Sequence, residues 1–283
     1  MKQKLLLFIA SLACAVCTWA DGVEINGISY LLNEASLSAS VTFDGAYYYA
    51  GSSYKGGITI PETVTYEETE YTVTSVGEYA FFYCTGLTGI TLPNTIESIE
   101  YSAFFGCTGL TEITLPNSVI NIKENAFNGC SALKKVNLQE SLKKIGYSAF
   151  AGCTSLTEII FPSTVTSIGD HAFSNCTKLE AIYVLSNTPP SIMTATFDQN
   201  AFTQVTLYVQ TGKKEVYEQK NIWKDFSNIV EMDLSGMKST TSSDSSKQAD
   251  ACYDLNGKKR DKMQKGINIV RYNDGSSRKI LVK

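Results

Sequence analysis

Five cysteines are the residues of this chain whose type and spacing most invite chemistry: Cys84, Cys107, Cys130, Cys153 and Cys176 each follow the last by 23 residues. Such a column could form disulfides or hold a metal. Zinc sites draw on closely paired ligands and on histidine, whereas here the spacing is long and His171 is the only histidine. If successive 23-residue units stack as strands do, equivalent atoms sit ~5 Å apart. Backbones at that distance do not forbid a bridge, but the separation is far beyond a sulfur–sulfur bond of ~2.04 Å. The column therefore reads as buried free thiols packed as small apolar side chains. Cys252, outside it, is expected to be the exposed thiol. No metal and no cofactor is expected.

A single histidine removes most Ser-His and multi-histidine chemistry. His171 shares its repeat column with Tyr79, Ser102, Asn125 and Ser148 and reads as a variable surface position. Carboxylate pairs for glycoside hydrolysis need a set separation that a sequence does not supply, and most acids here read as solvated. The chain is read as a non-enzyme. Its net charge of −4 is uneven, because residues 21–251 hold thirteen basic against twenty-five acidic side chains and residues 252–283 hold nine against three. All three arginines (Arg260, Arg271, Arg278) lie in the last segment. An acidic body without guanidinium forks excludes nucleic acid as its partner.

What must position these residues is an internal repeat. Leu87, Leu110, Leu133, Leu156 and Leu179 keep the 23-residue step, as do Ile90, Ile113, Val136, Ile159 and Ile182. Within a unit, Leu-x-x-Ile-x-Leu predicts a short strand whose Ile and Leu face a core. Pro93, Pro116 and Pro162 stop it, lacking the amide hydrogen that would extend a ladder, with Gln139 the one departure. A second apolar pair follows (Ile96/Ile99, Val119/Ile122, Leu142/Ile145, Val165/Ile168), then Ala-Phe at 103–104, 126–127, 149–150 and 172–173, read as a tight helical turn. Gly106, Gly129, Gly152 and Asn175 supply a corner in left-handed backbone. One such coil cannot bury its own apolar face, but stacked coils can.

Around this core the chain divides into a leader (1–20), a β-rich N-terminal cap (21–57), the repeat body with its C-terminal cap (58–234), a Ser/Thr-rich linker (235–251) and a small β module (252–283). Lys2 and Lys4, the apolar run Leu5–Ala13 and small residues up to Ala20 form a secretory signal, with Cys14 and Cys17 raising lipid anchoring as the lesser alternative. No stretch has the ~18 apolar residues of a membrane helix. Ile58-x-Ile60-Pro61 repeats the strand-proline pattern, and Ile58 to Ile90 is one period plus nine residues, read as a hairpin of Val64–Tyr66 against Tyr71–Val73. The period breaks at Thr188-Pro189-Pro190. A strand at Val205–Val209 then leads to a short amphipathic helix at Lys213–Lys220 with a Val216/Tyr217 face, and Trp223, Phe226 and Ile229 close the last coil.

The unit Leu110-Thr-Glu-Ile-Thr-Leu-Pro-Asn-Ser-Val-Ile-Asn-Ile-Lys-Glu-Asn-Ala-Phe-Asn-Gly-Cys130 resembles the BspA-like class of bacterial leucine-rich repeats, over roughly residues 58–209. The tail, with Gly266-Ile-Asn-Ile-Val-Arg and Lys279-Ile-Leu-Val-Lys283, looks like the end of a C-terminal secretion-sorting domain. The resemblance implies a mainly β leucine-rich-repeat solenoid with short helical turns, exported to the cell surface or secreted by a gut or oral anaerobe. It also implies adhesion to host or neighbouring-cell proteins. Binding would then use the outward residue between the two inward strand positions: Thr91, Thr114, Asn137, Ile160 and Tyr183. Ile160 and Tyr183 either anchor a protein ligand or pack only against their neighbours. Tyr47, Tyr48, Tyr49 and Tyr54 motivate a second reading, a glycan-binding module. A third is a structural envelope component without a discrete ligand. The leader makes a direct prediction: sequencing the exported chain returns Asp21 as its first residue, whereas a lipidated cysteine at the amino terminus would replace that reading.

Overall fold

A computed structural model describes residues 22–44 and 54–235 and, beyond these, the backbone of the strands Ala249–Tyr253, Lys259–Arg260, Gly266–Tyr272 and Ser277–Val282. The leader, Tyr47 to Tyr49 and most of the linker lie outside the described residues. The fold is a leucine-rich-repeat solenoid, mainly β, in which equivalent residues of successive coils lie opposite one another. Ile58 pairs with Ile90, Ile113 with Val136, and Ile159 with Ile182, all in parallel register. The hairpin forms as expected, Val64 opposite Tyr71, with Glu67 and Glu68 at φ 46° and 66° in its turn. Two adjacent residues at positive φ match the twist that tight hairpins require.

The row of proline-stopped strands is not the continuous sheet. It falls into three parts: Gly56–Thr59 with Leu87–Thr91, Glu112–Thr114 with Lys135–Asn137, and a four-stranded part running Glu158–Phe161, Ala181–Val184, Thr206–Gln210 and Ile229–Met232. The second apolar pair, to which the sequence pattern assigns no strand, makes the longer sheet. Ser98–Ile99, Asn121–Ile122, Lys144–Ile145 and Ser167–Ile168 are parallel strands of two residues each. They continue through Thr69–Val76 into the antiparallel strands Ser38–Thr42, Ile28–Asn33 and Val23–Ile25, giving nine strands with the hairpin partner. The N-terminal cap is therefore an extension of this sheet. Two residues carry no readable period, so only their partners in adjacent coils reveal them as strands.

The third flank holds the Ala-Phe turns. The amides of Phe81, Phe104, Phe127 and Phe150 donate to Ala103, Ala126, Ala149 and Ala172 of the next coil at 2.7–2.8 Å. Amides between them close turns within the coil, as from Cys107 to Phe104 at 3.2 Å. This alternation needs two left-handed residues per coil. One is the expected corner, Gly106, Gly129, Gly152 and Asn175, at φ 71°, 76°, 73° and 59°. The other is the His171 column, where Tyr79, Ser102, Asn125, Ser148 and His171 have φ between 51° and 57°. Ser102 and Ser148 are buried, so this column is held by backbone geometry and is not the freely varying surface expected of it.

Inside, Phe81, Phe104, Phe127, Phe150, Phe173 and Phe197 form one stack with centroid spacings of 5.0–5.5 Å and interplanar angles of 3–15°. The stack passes the expected break at Thr188-Pro189-Pro190, because Ser191 bridges to Ser167 and carries one further coil. At that end Trp223 is buried and its indole donates to the Pro190 carbonyl at 2.8 Å. Ile229, expected as closing bulk, begins a strand paired with Thr206–Gln210. The helix spans Lys214–Glu218, with Tyr217 buried and Val216 exposed. Beyond the body, the tail strands pair antiparallel, the first beginning at Ala249, three residues before the expected module boundary.

Removing one ring from the Phe stack leaves its neighbours facing a void. Phe127→Ala is expected to cost about 3–5 kcal/mol, read as a lower denaturant midpoint. A loss below about 1 kcal/mol would mean that the stack contributes little to stability.

Candidate functional site

The cysteine column comes together and is buried throughout, with all five thiols free. Four of the thiols donate to a carbonyl of the preceding coil: Cys107 to Phe81 at 3.0 Å, Cys130 to Phe104 at 3.1 Å, Cys153 to Phe127 at 3.3 Å and Cys176 to Phe150 at 3.2 Å, whereas Cys84 turns to Phe82 of its own coil at 4.0 Å. Burial raises the pKa of these thiols, that of Cys176 to about 12. A neutral, desolvated thiol is a poor nucleophile and a poor metal ligand. A column of hydroxyls that sequence reading did not single out does the same work at the proline turn. Ser118 donates to the Ile96 carbonyl, Ser141 to Val119 at 2.9 Å and Thr164 to Leu142 at 2.8 Å. Both columns are structural, each satisfying carbonyls between coils.

His171 does have an acid and an alcohol beside it. Its Nδ1 lies 3.2 Å from Ser174 Oγ and its Nε2 lies 3.8 Å from Asp170. This is not a nucleophilic triad. The Asp170 contact is beyond hydrogen-bond range, and Ser174 directs its own proton to the Ala195 carbonyl at 3.3 Å. Among the described residues no group of three or more His, Cys, Asp or Glu converges as a metal site, and no helix is long and apolar enough to cross a membrane.

Tyr54 does not offer a sugar-stacking face. It is buried against Phe81 at 5.0 Å, accepts the Ser29 amide at 2.9 Å and donates to the Thr42 carbonyl. Exposed aromatic side chains lie instead on the turn flank, where Tyr83 and Tyr101 stand near Phe105, and at Tyr66 on the hairpin.

The proline-stopped strands carry the candidate row. Thr91 is exposed, Thr114 and Ile160 half-buried, Asn137 and Tyr183 buried. Asn137 donates from Nδ2 to Thr114 Oγ1 at 2.9 Å. Tyr183 stacks on Tyr208 at 4.7 Å and 11°, in a small outer cluster with Leu185 and Leu234. The row is longer than its five expected members. Thr59 precedes Thr91 and Tyr208 follows Tyr183 in register, hidden from the sequence because their spacings are 32 and 25 rather than 23. The Ile-x-Ile and Leu-x-Val frames around Thr59 and Tyr208 were the available signal. At the N-terminal end the row opens onto a depression of ≈ 670 Å³, where Gly57 and Gly89 lack side chains beside Thr59, Thr91, Thr114 and Glu112. At the other end, Ala181 makes a second gap, of ≈ 550 Å³, beside Glu158, Glu180, Tyr183 and Tyr208.

Comparison with known proteins agrees with this architecture. Residues 74–208 match the family model for the BspA type leucine rich repeat region, in six copies. The leucine rich repeat protein of T. pallidum is 28% identical, with a TM-score of 0.50 over 57% of this chain and 71% of that one. A leucine-rich repeat protein from Bacteroides ovatus is 25% identical, with a TM-score of 0.50 over 68% of this chain and 66% of that one. A leucine rich cell surface protein from Faecalibacterium prausnitzii shares the fold at 21% identity and a TM-score of 0.51, over 90% of this chain and 60% of that one. No curated protein sequence matches the chain.

In a Cys252→Ser background, the native mature protein should give almost no reaction with a thiol reagent at neutral pH. The same protein unfolded without reductant should give five thiols. Fewer than four would mean that the column is bridged.

Proposed function

We propose that this solenoid is an exported or cell-surface binding protein whose proline-stopped strands present their outward row, Thr91, Thr114, Asn137, Ile160 and Tyr183, to a protein ligand. A leucine-rich-repeat body suits a binding or structural role. The observation that carries the binding reading is the outward row itself. The inward positions repeat almost unchanged, whereas the outward ones run from Thr59 through Asn137 and Ile160 to Tyr208 while held in register by the backbone. A surface that varies on a repeating frame can be complementary to one partner and not to others. The depressions at either end give side chains of a partner places to enter.

Adhesion to host or neighbouring-cell proteins is the form of binding this reading favours, supported by the leader in the sequence and by the cell-surface relative. The buried setting of Tyr54 weakens the glycan alternative at the N-terminal cap.

The mature chain, tested against purified matrix proteins and a glycan array, is expected to capture a protein. The paired change Thr91→Arg and Thr114→Arg should weaken that capture about tenfold or more, as should Ile160→Ser, with the circular dichroism spectrum of the folded protein retained. Capture that survives all of these and is lost on Tyr101→Arg would move the contact to the turn flank.

A further inference from the structure

The C-terminal depression on the strand face differs chemically from the N-terminal one. Its floor is Ala181, set between Glu158 of the preceding coil and Thr206 of the following one. Around it stand Glu180, Gln204, Tyr183 and Tyr208. The side chains of Glu180 and Gln204 make no hydrogen bond or ion pair among the described residues. Tyr183 is 5% exposed and lines the depression, and its hydroxyl likewise makes no hydrogen bond among the described residues. The ring is buried while the residue lines the depression, so the hydroxyl is left to a partner that enters there. Burial and the nearby Glu158 carboxylate push the Tyr183 pKa up to about 12. The group stays a neutral phenol whose oxygen can accept a hydrogen bond.

We propose that this depression is a cation site that takes the guanidinium of an arginine side chain presented by a protein partner. The proposal rests on the strand face being the binding surface and names the chemistry of what binds there. Carboxylates, a phenol oxygen and an amide oxygen arranged around a small floor are acceptors for a planar group with five donors. The two tyrosine rings lie against each other, so the ion meets their hydroxyls and edges, and recognition is by hydrogen bonds and charge. The acidic balance of residues 21–251, thirteen basic against twenty-five acidic, complements a basic partner and speeds its encounter. The competing occupant is the chain's own basic segment, residues 252–283.

The test uses the full mature chain and two short glycine-serine peptides, one with a single central arginine and the other with citrulline, its neutral isostere. The arginine peptide should bind with a Kd of about a millimolar, weakening with salt, and the citrulline peptide at least about tenfold more weakly. Glu180→Gln and Tyr183→Phe, which keeps the ring stack, should each weaken the arginine peptide about fivefold. Equal affinity for the two peptides, or no effect of Glu180→Gln, overturns the site. Carbodiimide cross-links from Glu158 or Glu180 to a lysine of residues 252–283 within one chain, which the arginine peptide cannot suppress, overturn it in favour of the tail. Peptide discrimination with no protein captured by the row supports the cation site and sinks the strand-face reading. Capture that depends on Thr91 and Thr114 without peptide discrimination sinks the cation site alone.

Discussion

Every coil of this protein meets the next at the same residue positions, and nearly everything else follows from that register. A parallel ladder offset by one repeat sets each side chain opposite its own counterpart, so a column must be compatible with itself at about 5 Å. Phenylalanine satisfies this by stacking from Phe81 to Phe197 at 5.0–5.5 Å. Cysteine satisfies it because a thiol is small and still donates a hydrogen bond to the carbonyl of the coil before it. Charge satisfies it by alternating: the outward column runs Glu112, Lys135, Glu158, which avoids placing like charges directly opposite.

The same register makes the ends the weak points, since the first and last coils each have one unpaired face. They are closed differently. At the start, the hairpin strand Thr69–Val76 hands the longer sheet to antiparallel strands that need no repeat partner. At the finish, Asp198 accepts the Asn175 amide at 2.7 Å, taking the place of the next coil's carbonyl. Trp223 and Phe226 then pack beside Phe197, and Ile229–Met232 supplies the outermost strand. Each substitute fills hydrogen bonds or apolar area that another repeat would have filled.

Binding and scaffolding are separated by which way a side chain points. Inward positions are constrained by the column above and below and leave little room for change. Outward positions on the strand row are constrained only by their lateral neighbours, so the surface can grade from glycine and threonine at one end to tyrosine and glutamate at the other. The cysteine column, the most conspicuous chemical pattern in the chain, belongs to the constrained side. Its thiols are desolvated donors between coils, removed from solvent and from any ligand.

The repeat length, the inward columns, the free thiols and the glycine corner were legible from the residues, because a 23-residue period restates the same environment five times. Three features became visible only in the folded chain. The two-residue strands of the longer sheet are too short to show a period, and exist as strands because the adjacent coils pair with them. The left-handed Ser102, Asn125, Ser148 and His171 look like tolerant surface by residue type, yet the alternation of amides between and within coils imposes their backbone. The depression over Ala181 arises where residues spaced 23 and 25 apart are brought side by side, a coincidence of long-range register that no local pattern encodes.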